Sequence, residues 1–148
     1  MDRRWKDFFM VASFLLASTC QVMANKDVAI KVSELPAMAQ RILNVNFTEN
    51  KVALSKKEVG LFSRSYEVIF TNGNKIEFDA DGRWEKIFCE RGGVPLELIP
   101  PSIRMYIDEH YGGSKIVKIE RDKRGYDVKL FRGVNLNFDT KGRWVKVE

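Results

Sequence analysis

Residues 65–88 read SYEVIFTNGNKIEFDADGRWEKIF, and residues 125–148 read GYDVKLFRGVNLNFDTKGRWVKVE. The two stretches align without a gap at an offset of 60. They share Tyr66/Tyr126, Val68/Val128, Gly73/Gly133, Phe78/Phe138, Asp79/Asp139, Gly82/Gly142, Arg83/Arg143, Trp84/Trp144 and Lys86/Lys146. In the first, Tyr66, Val68 and Phe70 alternate with Glu67 and Thr71, the period of a half-buried strand. Asn72-Gly73 reads as a two-residue hairpin turn. Ile76 and Phe78 against Lys75 and Glu77 mark the next strand. Asp79-Ala80-Asp81-Gly82 turns the chain, and Arg83 to Cys89 forms the last strand. The second stretch repeats this with Tyr126, Val128 and Leu130, then Leu136 and Phe138, then Trp144 to Val147. A duplicated unit with a duplicated tryptophan predicts a sheet built twice.

A helix precedes each stretch. Leu35-Pro36 opens the first, since proline suits a first helical turn where its missing N–H would be unpaired anyway. Ala39, Ile42, Leu43 and Phe47 follow as one apolar stripe. Pro100 and Pro101 open the second, Ile103, Tyr106, Ile107 and Tyr111 form its stripe, and Gly112-Gly113 ends it. Val52 and Leu54, and then Ile116, Val117 and Ile119, mark a strand after each helix. The helices lie 64 positions apart and the later strands 60, which puts four extra residues around Glu58–Phe62, in the first hairpin. The predicted class is therefore α+β: a helix followed by four antiparallel strands, twice, with the helices on one face of the sheet. The division is a polar leader over 25–34, a first repeat over 35–89, a connector over 90–97 and a second repeat over 98–148. The two repeats join into one sheet of up to eight strands or abut as two.

Residues 1–24 read as a secretory signal peptide: Arg3, Arg4 and Lys6, then the apolar run Phe8 to Ala17, then Val22-Met23-Ala24, with cleavage after Ala24. The run is too short to span a bilayer, which takes about 20 residues. A minority reading takes Ala17-Ser18-Thr19-Cys20 as a lipoprotein signal with Cys20 acylated, although Thr19 fits that pattern poorly. Cleavage after Ala24 leaves Cys89 as the sole cysteine, with no internal partner; its place at the end of an apolar strand predicts burial. The formal net charge of +5 falls by one when the leader is removed. The densest basic stretch, Arg121–Arg124, is broken by Asp122, which argues against nucleic acid as a partner.

Helix opening Leu35-Pro36-Ala37, Tyr66-Glu67-Val68, Glu77-Phe78-Asp79 with Gly82-Arg83-Trp84, the connector Cys89 to Pro95, Lys115 to Asp122, Gly125 to Val128 and Asn137-Phe138-Asp139 together resemble the β-lactamase-inhibitor-like, PepSY-like family of exported bacterial proteins. The resemblance covers roughly Val32 to Glu148. It implies an exported tandem repeat of helix and sheet, related in shape to the β-lactamase inhibitory protein. It carries over no inhibitory contact residue by residue.

Catalytic and metal chemistry find little support in the residues. Asp79-Ala80-Asp81-Gly82 looks like the start of a calcium loop, but such a loop needs further oxygen ligands, and the second copy, Asp139-Thr140-Lys141-Gly142, places an amine where a carboxylate should be. His110, the one histidine, has no clustered ligands for a metal and no nucleophile motif around it. The expectation is no catalytic residue, no metal and no cofactor.

Trp84, Lys86 and Phe88 alternate with Glu85, Ile87 and Cys89 on one strand, and Trp144 and Lys146 oppose Val145 and Val147 on the other. If Ile87, Val145 and Val147 face the helices, both tryptophans face the open side; a bulge at either strand would turn the ring into the core. The open-side reading gives a partner-binding set of Trp84, Lys86, Phe88, Phe131, Trp144, Lys146, Arg83 and Arg143, because Trp, Tyr and Arg dominate interface hot spots. The expected function is an exported, non-catalytic binding protein of the bacterial envelope, periplasmic or secreted, engaging a protein or peptide through the open sheet face. Inhibition of a hydrolase is suggested by family shape alone. The alternatives are a sensor of a small ligand or cell-wall fragment, and an enzyme of unrecognised type.

Overall fold

The computed structural model describes residues 26–148. The expected signal peptide, its cleavage after Ala24 and the Cys20 lipid anchor lie outside the described residues. Thirteen elements include two helices, α1 (Ala37–Asn46) and α2 (Pro101–Tyr111), and nine strands. The strands are β1 (Lys26–Ile30), β2 (Val52–Val59), β3 (Arg64–Phe70), β4 (Lys75–Phe78), β5 (Trp84–Phe88), β6 (Ile116–Asp122), β7 (Gly125–Leu130), β8 (Asn135–Phe138) and β9 (Trp144–Val147). Short 3-10 turns, Val32–Glu34 and Leu96–Leu98, lead into the helices.

All nine strands form a single antiparallel sheet in chain order. The two halves join where β5 pairs β6, through Lys86↔Glu120, Ile87↔Ile119 and Phe88↔Lys118. The ninth strand is β1, within the stretch expected as a polar leader. It pairs β2 from Lys26↔Val59 to Ile30↔Ser55. An edge strand needs only one neighbour and little burial, so its sequence carries little of the apolar signal that marks β3 or β7.

Each helix buries the stripe its spacing predicts: Ala39 and Leu43 in α1, Ile103 and Ile107 in α2. Pro36 takes the N-cap of α1, Pro101 the first turn of α2, and Gly112 ends α2 with φ 59°. One apolar cluster runs beneath both helices, with Val68, Ile76, Ile87, Ile119, Val128 and Leu136 as one continuous row across six strands. All six are essentially fully buried.

The tight turns share one geometry. The Asp79 N–H bonds the Arg83 carbonyl at 2.8 Å and the Gly82 N–H bonds the Asp79 carbonyl at 3.0 Å; Asp139, Arg143 and Gly142 repeat this at 2.8 and 2.9 Å. Phe70 with Asn74, and Leu130 with Val134, close the same loop. The Asn72-Gly73 turn is thus three residues long, Thr71 to Gly73, rather than two, with its glycine in the left-handed region at φ 87°. Three-residue hairpin loops place a left-handed residue at that position.

Candidate functional site

The side chains expected to form a binding patch are divided by two bulges. In β4–β5 the register runs Lys75↔Phe88, Ile76↔Ile87, Glu77↔Lys86 and then jumps to Phe78↔Trp84, which leaves Glu85 as the extra residue. One extra residue reverses the facing of everything beyond it. Trp84 therefore lies beside Phe78 on the helix face, 7% exposed. The register of β8–β9 jumps at the same place, between Asn137↔Lys146 and Phe138↔Trp144. Trp144 accordingly stacks on Tyr106 of α2, ring centroids 5.9 Å apart and 10° from parallel. This corrects the open-face placement: neither tryptophan centres a patch on the uncovered side. Trp144 is 46% exposed all the same, because among the described residues β9 is an edge with only β8 beside it. Over Trp84 lie the next strands: the Arg121 guanidinium sits 4.5 Å above the ring, its Nε donates to the Trp84 carbonyl at 2.6 Å, and Tyr126 is tilted beside it at 6.4 Å.

The other expected residues also separate. Lys86 and Phe88 lie on the open face of β5 and Lys146 on the open face of β9, four strand spacings away, roughly 19 Å. Arg83 and Arg143 sit in the turns and pair with the aspartates that open them, Asp79 at 3.3 Å and Asp139 at 2.7 Å. Phe131 is exposed in the turn after β7, at the opposite end of the strands from the tryptophans. The structure keeps Lys86 and Phe88 together and disperses the rest.

The open face is a ladder of charges with an apolar line beside it. Lys56 reaches Glu67 at 2.8 Å, Glu58 at 3.0 Å and Asp27 at 3.1 Å, and these partners hold its ammonium above the usual lysine value. Lys86 lies 3.2 Å from Glu77 and 3.8 Å from Glu120. Partial burial pulls the Lys86 ammonium down, but Glu77 and then Glu120 outweigh that and hold it above its ordinary value. The next row runs Leu54↔Ile69, Ile69↔Lys75, Lys75↔Phe88 and Phe88↔Lys118. Phe88 is half-buried between Lys75 and Lys118, in a shallow depression of about 230 Å³. Leu54, Ile69, Lys75 and Lys118 were missing from the expected set. The alternation of β3 and β4 puts Ile69 and Lys75 opposite Val68 and Ile76, so the signal was present in sequence, but it pointed to no chemistry.

Other hollows lie elsewhere, and two of them bear on function. One of about 310 Å³, mainly apolar, is lined by Val94, Leu96, Ile99, Ile107 and Ile116 beneath the connector, with Arg104 and Asp108 at hand. A polar one of about 410 Å³ lies where the Asp79 and Asp139 turns approach the β6–β7 hairpin. Glu85 borders it, its carboxyl raised by burial and then by Asp79 and Glu77. In both turns the aspartate Oδ1 accepts the N–H two residues on and the arginine N–H four residues on, the hydrogen bonding of a hairpin. Among the described residues, no three His, Cys, Asp or Glu side chains are grouped to hold a metal ion. His110 is exposed, stacks on Tyr106 at 4.1 Å, and its Nδ1 lies 2.9 Å from the Tyr106 carbonyl. Cys89 is buried, and burial pushes its thiol up to about 11.

An antiparallel sheet with two helices over one face, and a charged open face on the other, defines an α+β protein of PepSY-like architecture. The chain belongs to the PepSY-like, β-lactamase-inhibitor-like family: the family model described as "Putative beta-lactamase-inhibitor-like, PepSY-like" matches residues 64–147. It is similar to the crystal structure of a "putative calcium-regulated periplasmic protein" from Bacteroides thetaiotaomicron, 43% identical, covering 82% of this chain and 96% of that one with a TM-score of 0.80. A "putative periplasmic protein" from Bacteroides vulgatus is 41% identical over 84% of this chain and 98% of its own, TM-score 0.81. Another from the same species, described as of unknown function, is 37% identical over 83% and 99%, TM-score 0.77. No curated protein matches the chain. Among the described residues no helix is long and apolar enough to cross a membrane.

Proposed function

We propose that this chain is a periplasmic, non-catalytic binding protein, built as a tandem repeat of helix and four strands, that holds a protein or peptide against the open face of its sheet at Phe88 and Lys86. The observation that carries this is the position of Phe88. It is an aromatic side chain in the middle of a nine-stranded face that no helix among the described residues covers, half-buried between Lys75 and Lys118. Interface hot spots are aromatic anchors rimmed by charge. The description of three relatives as periplasmic and the leader pattern of residues 1–24 support export. The engaged state of His110 and of the turn aspartates supports a role other than catalysis, and calcium regulation, named for one relative, forms no part of the proposal. Inhibition of an envelope hydrolase is the narrower form of the same idea.

The test is affinity capture from an envelope extract with the wild type and with Lys86→Ala/Phe88→Ala. A partner lost by a variant whose melting temperature is near wild type supports the open face, and that partner is then assayed for inhibition. Retention by the folded variant sinks the proposal. If the double variant unfolds, Lys118→Glu, a change at a half-buried position beside Phe88, gives the same comparison. A second reading is favoured by the apolar hollow beside α2: a small ligand there would raise the melting temperature with no protein partner present.

A further inference from the structure

The molecule contains, inside itself, a template for something it leaves uncovered. Strands β5 and β9 correspond at the offset of 60, with the same bulge and the same Trp–Phe pairing. β5 is flanked by β4 and β6, whereas β9 has only β8 beside it among the described residues. The cost of that difference is visible in burial. Ile87 is fully buried and its counterpart Val147 is 50% exposed. Trp84 and Trp144 differ in the same direction. Charged residues usually blunt such an edge; β1 carries Lys26 and Asp27, while β9 carries Lys146 alone among Trp144, Val145 and Val147.

What covers β5 is β6, residue by residue. Ile119 lies opposite Ile87, Glu120 opposite Lys86, and Lys118 opposite Phe88. Arg121 lies over the Trp84 ring and donates to its carbonyl. The Cys89 N–H bonds the Val117 carbonyl at 2.8 Å. On β9 the Glu148 N–H bonds Asn135 on the β8 side. By antiparallel alternation, the Val147 N–H and carbonyl therefore point away from β8, free for a further strand.

We propose that the outer edge of β9 takes an extended segment of a partner protein, paired antiparallel, whose residues run lysine, branched apolar, glutamate, arginine. The apolar residue covers Val147, as Ile119 covers Ile87. The glutamate meets Lys146, as Glu120 meets Lys86. The arginine lies over Trp144. At position 148 this chain has glutamate where β5 has Phe88, so the lysine of the segment gains an ion pair across the strands, where Lys118 faces Phe88. Lys146 and Glu148 pair with each other at 2.6 Å, and Lys118 and Glu120 at 3.1 Å; antiparallel apposition sets each lysine against a glutamate. A second copy cannot supply this segment, because β6 is paired on both sides. Two β9 edges paired about Lys146 would oppose lysine to lysine, which is unfavourable; paired about Val147 they would set Lys146 against Glu148, and such a dimer is an outcome that overturns the proposal below. Strand addition of this kind draws affinity from the main chain and specificity from alternate side chains.

The probe is a capped peptide of the β6 sequence, Lys-Ile-Val-Lys-Ile-Glu-Arg-Asp. Saturable binding to the protein is expected, with slowed amide exchange at Val145 to Glu148. Methylating the backbone nitrogen of the second isoleucine should weaken binding at least about tenfold, roughly one hydrogen bond's worth. Replacing the peptide glutamate by lysine should weaken it too, and Lys146→Glu in the protein should restore that swapped peptide. No binding, binding indifferent to N-methylation, or protection appearing at β1 instead of β9 would overturn the proposal. So would a dimer of the free protein that already protects β9.

Discussion

At the scale of single residues, the two tryptophans share a sequence context and a bulge but not a fate. Trp84 lies under Arg121 and Tyr126, whereas Trp144 has Tyr106 beneath it and solvent beyond. Truncating a buried aromatic residue costs about 3–5 kcal/mol. Half-exposed Trp144 loses mainly its stacking, about 1 kcal/mol. Trp84→Ala is therefore expected to shift the urea midpoint several times further than Trp144→Ala. Equal shifts would show that β9 is covered in solution. Sequence alternation alone could not place these rings, because facing depends on which partner residue each one pairs with, and a single extra residue, Glu85 or Val145, reverses it.

At the scale of elements, the Asp79 and Asp139 turns each lean on the start of a helix, α1 and α2 respectively. A Cβ on Gly82 would stand 2.8 Å from both the Ala39 nitrogen and the Pro36 Cβ, and one on Gly142 would collide with the Ser102 hydroxyl. Both glycines have positive φ, 84° and 71°. Gly82→Ala and Gly142→Ala should each destabilise by about 1–3 kcal/mol, through backbone strain plus the lost fit of helix to turn. Gly73→Ala, with open space around its Cβ position, pays the backbone cost alone and serves as the comparison in thermal unfolding. If Gly73→Ala costs as much as Gly82→Ala, the turn–helix contact contributes nothing. The turns were legible as turns because Asp and Gly specify local geometry. Their contact with the helix starts joins residues about 40 positions apart and has no local signature.

At the scale of the molecule, the β5–β6 seam makes one body of two similar halves. The seam has only three residue pairs, yet Ile87 and Ile119 sit at the middle of the buried row that runs beneath both helices. Ile119→Ala should cost about 2–5 kcal/mol, and the loss should appear equally in the amide protection of β3 and β7, because the core is shared. Protection lost in β7 alone would mean that the halves unfold independently. Exposing this seam would also create a second edge like that of β9, which ties the stability of the sheet to the binding behaviour inferred for its end.

By itself the sequence determined the α+β class, the two helices with their buried stripes, the strands that follow each helix and the turns between them. All of these rest on periodicity and turn chemistry within a few residues. Tertiary structure alone decided the rest. It added β1 as a ninth strand, fused the halves into one sheet, sent both tryptophans to the helix face and left Phe88 and the β9 edge uncovered. The reason is common to all four. Register, bulges and edges are properties of a pair of strands, and neither strand's sequence specifies what lies beside it.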